Sequence, residues 1–576
     1  MVWHIGNTTV RTPYRLREAL KVLEKSSLIG NLGGKHHGGA VKEQEFATLL
    51  HSSGVANISR VQEGKDASDV GRKWRVALCQ LGFITPDRDF GTSKPAYIIT
   101  TNGKRLIESE IITAQQECFL RSLVAYQLPN GLENKTYKFT VFSPLRFVLQ
   151  VLFGLNKAGH EPRISFTEFA AFVQTKTSIL GTDEIVNKII EYRQNRDLNK
   201  GNLRRFKKDL VNHIVAEIYP DAGNKDTKSQ TLRDYADLTL RYLKATGLFK
   251  AKGRGIVISP VRQKLCEFLS NESWEPLEDE SYFPLIWEGA KLPTDNKNEA
   301  LRVIEDLANR INMMGGNVSA TTANLSDADI EVERHRLEHD LIQREELEYA
   351  RYQAGQTEEI STWLRALCNN KREAKSASGE LFKVPKGEAP AYLEWAVWRA
   401  FLAINSLSNQ PWESRRFQVD QDFLPTGTAP GGGADMIFEF DDIVIVTEVT
   451  LTSSSRQEAA EGEPVRRHVA KYMDEYQKTG KNVYGLFLAV SIDSNTAHTF
   501  KHGDWYLKDD TKVNLDIVPI ALEDFTNFFS SNTDKLNSLP STLKLLLLEC
   551  RAKANLDAPQ WKNGISKIIE NYTKKQ

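Results

Sequence analysis

Residues 431–450 constrain the fold of this chain more than any other segment. They read Gly-Gly-Gly-Ala-Asp-Met-Ile-Phe-Glu-Phe-Asp-Asp-Ile-Val-Ile-Val-Thr-Glu-Val-Thr, which is two β-rich runs on either side of the Asp-Asp pair at 441–442. Two such runs around a two-residue turn predict a β-hairpin. Counting outward from the turn places Asp435 directly opposite Glu448. Because directly opposed residues have Cβ atoms about 5 Å apart, the hairpin predicts two carboxyl groups at one point.

Two carboxylates at one point repel each other unless a cation lies between them. Oxygen ligands with room for water and phosphate suit Mg²⁺. The pair therefore predicts a Mg²⁺ site of the kind that hydrolyses phosphodiesters, with Asp435 and Glu448 as ligands. Acidic residues also commonly end strands, and Asp-Asp is a weaker turn sequence than Asn-Gly. Spacing alone leaves both interpretations open.

Length and composition indicate an intracellular protein of several domains. The 576 residues, 40% of them hydrophobic, suggest roughly three or four domains. Five dispersed cysteines without a CxxC pair are typical of reduced thiols in the cytoplasm. No apolar run approaches the ~20 residues of a membrane span, and the start of the chain lacks the apolar core of a signal peptide. We therefore expect no membrane partner.

The net charge of zero hides two charged blocks. Residues 193–264 contain 17 Lys and Arg against 7 Asp and Glu, whereas residues 327–360 contain 4 against 11. A basic block in the N-terminal half suggests an anionic partner for that part of the chain. The alternative is a solvated helix face.

The N-terminal half contains a repeated pattern, first at residues 74–106 and again at residues 240–265. Each copy predicts a helix, a Gly cap, two short strands around a turn, and another helix. That order is typical of the wing half of a winged helix, which binds DNA or proteins; the basic residues favour double-stranded DNA. Within these regions the DNA-contact candidates are Arg75, Arg204, Arg205, Arg241 and Lys244, of which Arg204 and Arg205 are candidates for phosphate contacts, with a solvated helix as the alternative.

The C-terminal part predicts the order helix, strand, strand, helix, strand. The first helix, residues 391–404, is apolar nearly all round, so Glu394 within it needs a cation or a hydrogen-bond donor. After the hairpin, a polar loop contains Glu461, and the next helix contains His468. A histidine at that place is otherwise an ordinary helix-surface residue.

This order, with these acids, resembles the PD-(D/E)XK nuclease fold, and more closely the type IIS restriction endonucleases of the AlwI, PleI and MlyI group, which includes the nicking enzyme BstNBI. An Arg-Tyr-x-x-x-Thr-Gly-Leu-Phe segment at residues 241–249 also looks like that group's second DNA-reading domain. The other matching motifs are Glu394-Trp395-x-x-Trp398, Ala434-Asp435-Met436, Thr447-Glu448-Val449-Thr450 and Glu461-x-Glu463-Pro464-Val465-x-Arg467-His468.

The resemblance implies Glu394, Asp435, Glu448, Glu461 and His468 as catalytic residues, with Asp435, Glu448 and Glu394 around Mg²⁺. Two departures matter. Ala434 stands where the family motif has Pro. Thr450 stands where a general PD-(D/E)XK enzyme has Lys, and the AlwI, PleI and MlyI group also lacks that Lys. By resemblance, Glu461 and His468 take over near the metal.

The predicted fold is multidomain α+β: a DNA-recognition region at residues 1–290 with winged-helix-like subdomains at about 1–125 and 140–290, a helical linker at 291–385, and an α/β nuclease domain at 386–576. The expected function is a prokaryotic, cytoplasmic, site-specific endonuclease that cuts outside an asymmetric site. One nuclease domain cuts one strand, so double-strand cleavage needs a homodimer or a smaller catalytic subunit. The alternatives are a DNA-binding regulator with an inactive nuclease domain, and a modification-dependent or repair nuclease.

Overall fold

The computed structural model describes residues 2–33, 39–88, 90–133, 137, 139–176, 181–199, 202–221, 223–252, 255–319, 326–375, 381–385, 387–453, 456–476, 479–507 and 509–574. The chain divides into two compact units. Unit 1 comprises residues 1–341 and 420–422, and unit 2 comprises residues 342–419 and 423–576. No helix within the described ranges is both long and apolar enough to cross a membrane.

Unit 1 is mainly helical and has one small sheet. Its elements are α1 Arg15–Glu24, α2 Gly39–Ser52, α3 Ser59–Gln62, α4 Ser68–Gln80, α5 Thr101–Glu108, α6 Ile112–Ala125, α7 Pro144–Lys157, β1 Arg163–Ser165, α8 Phe166–Glu168, α9 Thr182–Leu198, α10 Leu203–Ile218, α11 Lys225–Ala245, β2 Phe249–Ala251, β3 Gly255–Ile258, α12 Gln263–Asn271, α13 Asp279–Glu288, α14 Lys297–Met313 and α15 Asp327–Tyr352, whose last residues belong to unit 2.

The second predicted wing is present as a strand pair. β2 and β3 are antiparallel, and β1 pairs with the other side of β3, which gives the strand order β1-β3-β2. The apolar side chains of Phe249 and Ile256 are buried in the unit 1 core, because strands of this length are stable only when one face packs on other elements. The assignment of these elements as a winged helix remains a prediction.

The first copy of the pattern differs from its prediction. Where two strands were expected after α4, the described residues form a single bridge, Ile84↔Ile99. The hydroxyl of Thr85 donates to the carbonyl of Pro95 at 2.6 Å and accepts from the amide of Ile98 at 3.0 Å. Pro86 and Pro95 lack amide hydrogens and cannot extend a ladder. The two segments keep three backbone hydrogen bonds, from the amides of Thr85, Tyr97 and Thr100, and the side chain of Thr85 adds two more.

Unit 2 is built around a mixed four-stranded sheet. Its elements are α16 Thr357–Cys368, β4 Glu373–Lys375, β5 Leu381–Lys383, α17 Ala389–Ala403, β6 Met436–Glu439, β7 Ile443–Thr450, α18 Gln457–Tyr476, β8 Asn482–Ala489, α19 Ser494–Lys501, β9 Asp504–Tyr506, β10 Lys512–Asn514, β11 Asp516–Ala521, α20 Leu522–Ser531, α21 Leu539–Ala552 and α22 Ala558–Lys574. The predicted order of helix, two strands, helix and strand is confirmed as α17, β6, β7, α18 and β8.

The strand order in this sheet is β11-β8-β7-β6, with β6 antiparallel to β7 and the other two pairings parallel. β7 reads Ile-Val-Ile-Val-Thr-Glu and is buried throughout those residues, as expected for a central strand covered on both faces. From α17, the ring of Phe401 stacks on that of Phe438 in β6, with 3.8 Å between ring centroids. α18 lies so close to β8 that a Cβ on Gly485 would be 2.8 Å from Cγ2 of Val469.

Candidate active site

The hairpin has the register that the sequence predicts. Met436 pairs with Thr447 and Phe438 with Ile445, while the amide of Phe440 donates to the carbonyl of Ile443 at 2.8 Å across the turn. The next residues outward are Asp435 and Glu448.

Asp435 is fixed at the start of β6 by the neighbouring strand. Its Oδ2 accepts a hydrogen bond from the amide of Val449 at 3.0 Å. Glu448 is 7% exposed, so its carboxyl group has lost most of its water. Both acids therefore lie at the mouth of an apolar hairpin, close together and with little solvent around them.

The environment strongly favours the protonated forms of both acids. Burial and the adjacent carboxyl of Glu448 raise the pKa of Asp435 well above its usual range. Burial, together with the negative charge of Glu461, raises the pKa of Glu448 to about 8. Such shifts arise when carboxyl groups are desolvated beside one another and no cation offsets their charge. A bound cation would therefore stabilise the ionised forms of this pair.

Glu461 is the third acid of this cluster. The sequence predicts it in a polar loop, but α18 already begins at Gln457, so Glu461 lies in the first turns of that helix. Burial raises its pKa as well. The hydroxyl of Thr450 donates a hydrogen bond to its carboxyl group, which partly opposes that rise. Thr450 therefore orients an acid and supplies no positive charge.

His468 contacts Glu448 directly. Its Nδ1 lies 2.6 Å from Oε1 of Glu448. Burial and the positive charges of Arg467 and Arg416 lower the pKa of His468 to about 4. An ion pair between imidazolium and carboxylate would shift both pKa values the other way. Since burial outweighs the attraction, the imidazole is neutral near pH 7.

The second ring nitrogen of His468 faces the interior. Nε2 is buried and has no hydrogen-bond partner among the described residues. When Nδ1–H donates to Glu448, Nε2 carries the free lone pair of a neutral imidazole. A buried nitrogen in this state is available to a proton or to a bound ligand.

Glu394 has a partner within the protein. It is 4% exposed in α17, and its Oε2 accepts from the amide of Ala429 at 2.7 Å. This bond ties α17 to the loop that leads into β6 and meets the need for a donor that its burial creates. Its predicted role beside the metal stays a prediction.

Arg416 is a neighbour of the acids that the sequence reasoning did not identify. Its amide donates to the carbonyl of Asp435 at 3.1 Å, and its Nη1 donates to the carbonyl of Ala434 at 3.3 Å. Its positive charge opposes the rise in the pKa of Glu448. The sequence offers no signal that separates it from Arg415, which pairs with Glu346 at 2.8 Å.

The donor set fits a hard divalent cation. Carboxylate oxygens at one end of a sheet are ligands that Mg²⁺ prefers. Within the described part of the chain, however, no group of three or more His, Cys, Asp or Glu side chains is gathered in the form of a metal site. Asp435 and Glu448 offer two ligands, which suits an ion that keeps several waters.

Two predicted DNA-contact residues take part in ion pairs inside unit 1. The side chain of Arg75 is 11% exposed and lies 2.8 Å from Oε1 of Glu43. Lys244 donates to Asp422 at 3.0 Å, and its side chain is 18% exposed. Both cations are already neutralised by a buried carboxylate.

The other three candidates differ in exposure. The side chain of Arg205 is 76% exposed, with Asp209 at 3.7 Å, and Arg241 pairs with Asp237 at 2.9 Å. Arg204 is in α10, but its side chain lies outside the described part of the structure. The DNA contacts of all five residues stay predictions.

A family model described as AlwI restriction endonuclease matches residues 79–528, which is well over half of the chain. A search of curated proteins found no matching sequence.

Solved structures with partial similarity include the small subunit, R.BspD6I2, of the heterodimeric restriction endonuclease R.BspD6I, with 27% identity over 32% of this chain and 90% of that one, at a TM-score of 0.26. The binding domain of the BpuJ1 endonuclease, solved with pyrene- and phenanthrene-modified DNA, has 14% identity over 47% and 88%, at a TM-score of 0.29. Restriction endonuclease FokI has 10% identity over 94% and 98%, at a TM-score of 0.24.

Proposed function

The chain belongs to the AlwI restriction endonuclease family and is therefore a site-specific deoxyribonuclease, and we propose that it cuts double-stranded DNA a short fixed distance outside an asymmetric recognition site. The observation that carries the proposal is the acid cluster of unit 2. In it, Asp435 and Glu448 lie side by side at the mouth of the β6–β7 hairpin, with Glu461 and His468 against them.

We assign Asp435 and Glu448 as the ligands of Mg²⁺. When bound there, the ion would polarise the phosphodiester and lower the pKa of a bound water. The protein positions these ligands from behind: the amide of Val449 orients the carboxylate of Asp435, and Nδ1–H of His468 orients that of Glu448. Hydrogen bonds of this kind hold metal ligands in one orientation.

His468 also has a role in proton transfer in this proposal. Its Nε2 is buried and unpartnered among the described residues, and the imidazole is neutral near pH 7. When Nδ1–H donates to ionised Glu448, the lone pair of the ring is on Nε2. A neutral nitrogen in that state accepts a proton from the attacking water within hydrogen-bond reach. Glu461 adds negative charge beside Glu448, and Glu394 supports a second ion position.

Unit 1 supplies the DNA recognition in this proposal, and the described part of unit 2 holds one such acid cluster. One cluster hydrolyses one strand. Cleavage of both strands then needs a second copy of the chain or a smaller catalytic subunit. We place the enzyme in a prokaryotic cytoplasm, where its DNA substrate is found.

The test is strand-resolved cleavage of supercoiled plasmid with Mg²⁺ or with EDTA. The wild type should give discrete Mg²⁺-dependent ends at one offset from a common sequence, nicked or linear. Asp435→Asn should abolish cleavage and keep DNA binding, because the amide cannot replace the carboxylate ligand. The matched control is Glu463→Gln, which removes a charge from an α18 side chain that is 60% exposed and should cut normally.

Two results would contradict the proposal. Cleavage by Asp435→Asn at the wild-type rate would exclude the acid cluster as the active site. Tight DNA binding without cleavage by the wild type under any divalent ion would favour a regulator with an inactive nuclease domain. Comparison of methylated with unmethylated plasmid separates restriction from a modification-dependent role.

A further inference from the structure

The acid cluster lacks the lysine of the PD-(D/E)XK motif, because Thr450 stands in its place and hydrogen-bonds to Glu461. Phosphodiester hydrolysis builds up negative charge on the phosphoryl oxygens, and fixed positive charge is an effective way to stabilise it. A cation from elsewhere in unit 2 is therefore needed beside Asp435 and Glu448.

Arg416 is the cation whose position meets this need. The segment that carries it runs beside the start of β6, where Arg415 forms a bridge with Met436. The amide of Arg416 donates to the carbonyl of Asp435, so its backbone is tied to a predicted metal ligand. Its Nη1 donates to the carbonyl of Ala434, the residue before Asp435.

Gly433 makes room for this side chain. A Cβ on Gly433 would lie 2.5 Å from Nη1 of Arg416, closer than real Cβ contacts. The guanidinium therefore packs directly on the backbone of Gly433, two residues before Asp435. The Gly-Gly-Gly run before β6 therefore has a structural purpose at its last position.

The other cations near the cluster have carboxylate partners of their own. Arg467 pairs with Glu463 at 2.9 Å, and Lys471, which is 54% exposed, lies 3.7 Å from Glu475. Arg416 has no ion pair with a carboxylate among the described residues, and its Nη1 donates to the neutral carbonyl of Ala434. Its positive charge remains available to an anion that enters the site.

We infer that the guanidinium of Arg416 contacts the scissile phosphate and provides the charge stabilisation of the absent motif lysine, an inference that rests on the proposed function. A guanidinium presents two parallel N–H donors that match two phosphate oxygens. The contact to Ala434 holds the group in place before DNA arrives, so little reorganisation is needed on binding.

The experiment compares full-length wild type, Arg416→Gln and Arg416→Lys in single-turnover cleavage of an oligonucleotide duplex whose cut bond has been mapped. We expect Arg416→Gln to slow cleavage by about 100-fold or more, the usual effect of removing a charge-stabilising donor. DNA affinity in EDTA should change little. Arg416→Lys should cleave about tenfold faster than Arg416→Gln, since lysine keeps the positive charge but lacks the paired N–H donors of the guanidinium.

A second substrate separates contact with the phosphate from a structural role. In a methylphosphonate at the cut position, one charged oxygen is replaced by a methyl group. If Arg416 contacts that oxygen, the ratio of wild-type to variant rate constants should fall several-fold on this substrate. If Arg416→Gln does not fold, as judged by circular dichroism, the ratio of wild-type to Arg416→Lys rate constants on the two substrates is used in its place.

Arg365→Gln is the control, because Arg365 is an exposed residue of α16 that donates to Ser530 and should cut as the wild type does. Cleavage by Arg416→Gln within about threefold of the wild type would overturn the inference and leave the proposed function intact. An equal loss on both substrates would assign Arg416 a structural role only. Absence of cleavage by the wild type would overturn the proposed function and this inference together.

Discussion

Two buried glutamates, one in each unit, have pKa values that shift in opposite directions. Burial opposes the ionised form of Glu338 in unit 1, but Arg262 and Arg334 outweigh it and lower the pKa. Glu448 in unit 2 has acids for neighbours, and its pKa rises to about 8. A buried carboxylate that the protein neutralises is structural, whereas one that the protein leaves uncompensated is suited to a cation from outside.

The largest expected effect comes from removing each carboxylate in turn. Glu448→Gln should lower cleavage by about a thousand-fold or more, since it removes one of the two proposed Mg²⁺ ligands, and should not lower the free energy of unfolding without metal. Glu338→Gln should cost about 3 kcal/mol of stability, because Arg262 remains buried without its partner and Arg334 keeps only Glu117, and should leave the folded enzyme active.

The measurements are urea unfolding in EDTA and single-turnover cleavage at a temperature where both variants are folded. If Glu448→Gln destabilised the protein as much as Glu338→Gln did, the contrast between the two glutamates would be wrong.

The second prediction concerns pH and Mg²⁺. A carboxyl group with a raised pKa binds a proton in the folded state that the unfolded chain releases, so its contribution to stability falls as the pH rises from 4.5 to about 8. The lowered pKa of His468 acts in the opposite direction between pH 4 and 6.5. The clear window is therefore pH 6.5 to 8.

Within that window Mg²⁺ should raise the Tm more at pH 8 than at pH 6.5, because the ion binds ionised carboxylates and releases protons. Thermal unfolding at both values, with Mg²⁺ and with EDTA, measures this. Glu448→Gln is the control and should lose the dependence. A Tm gain that is equal at both pH values, or unchanged in Glu448→Gln, would place the metal elsewhere.

The smallest expected effect concerns the basic residues of unit 1. Lys244→Gln leaves Asp422 buried without its cation and should cost about 3 kcal/mol of stability, with little specific effect on DNA binding. Arg205→Gln should leave the Tm unchanged. If Arg205 contacts a phosphate, its loss should weaken DNA binding several-fold on all sequences. The slope of the logarithm of the binding constant against the logarithm of the salt concentration should fall in magnitude by about one.

Fluorescence anisotropy at several salt concentrations, beside thermal unfolding, distinguishes these outcomes. A weaker salt dependence in folded Lys244→Gln would restore Lys244 as a DNA contact. Unchanged binding by Arg205→Gln would remove Arg205 from the candidates.

The site was predictable to the extent that it depends on local spacing. The opposition of Asp435 and Glu448 follows from counting across a two-residue turn, and the structure has that register from the pair Met436 and Thr447 inward to the turn. Arg416 was missed because its contact with Asp435 joins residues that no periodic pattern connects. The first wing lost its predicted strands for a local reason, since two prolines flank the polar stretch.

The basic residues show a second limit of prediction from the sequence. A cluster of Lys and Arg predicts positive charge on a surface only if each cation is free of partners. Arg75 forms an ion pair with Glu43, and Lys244 forms one with Asp422, which is 178 residues away in the chain. Composition counts such charges as available, while the fold has already neutralised them.

The sequence by itself determined the hairpin, its register and the order of the elements that carry the acids, because turn geometry and the two-residue period of a strand act over a few residues. Only the tertiary structure decided which of those acids are desolvated, which histidine nitrogen is left without a partner, and which arginine stands beside them. Protonation depends on excluded water and on charges brought together from distant parts of the chain, and neither is present until the chain has folded.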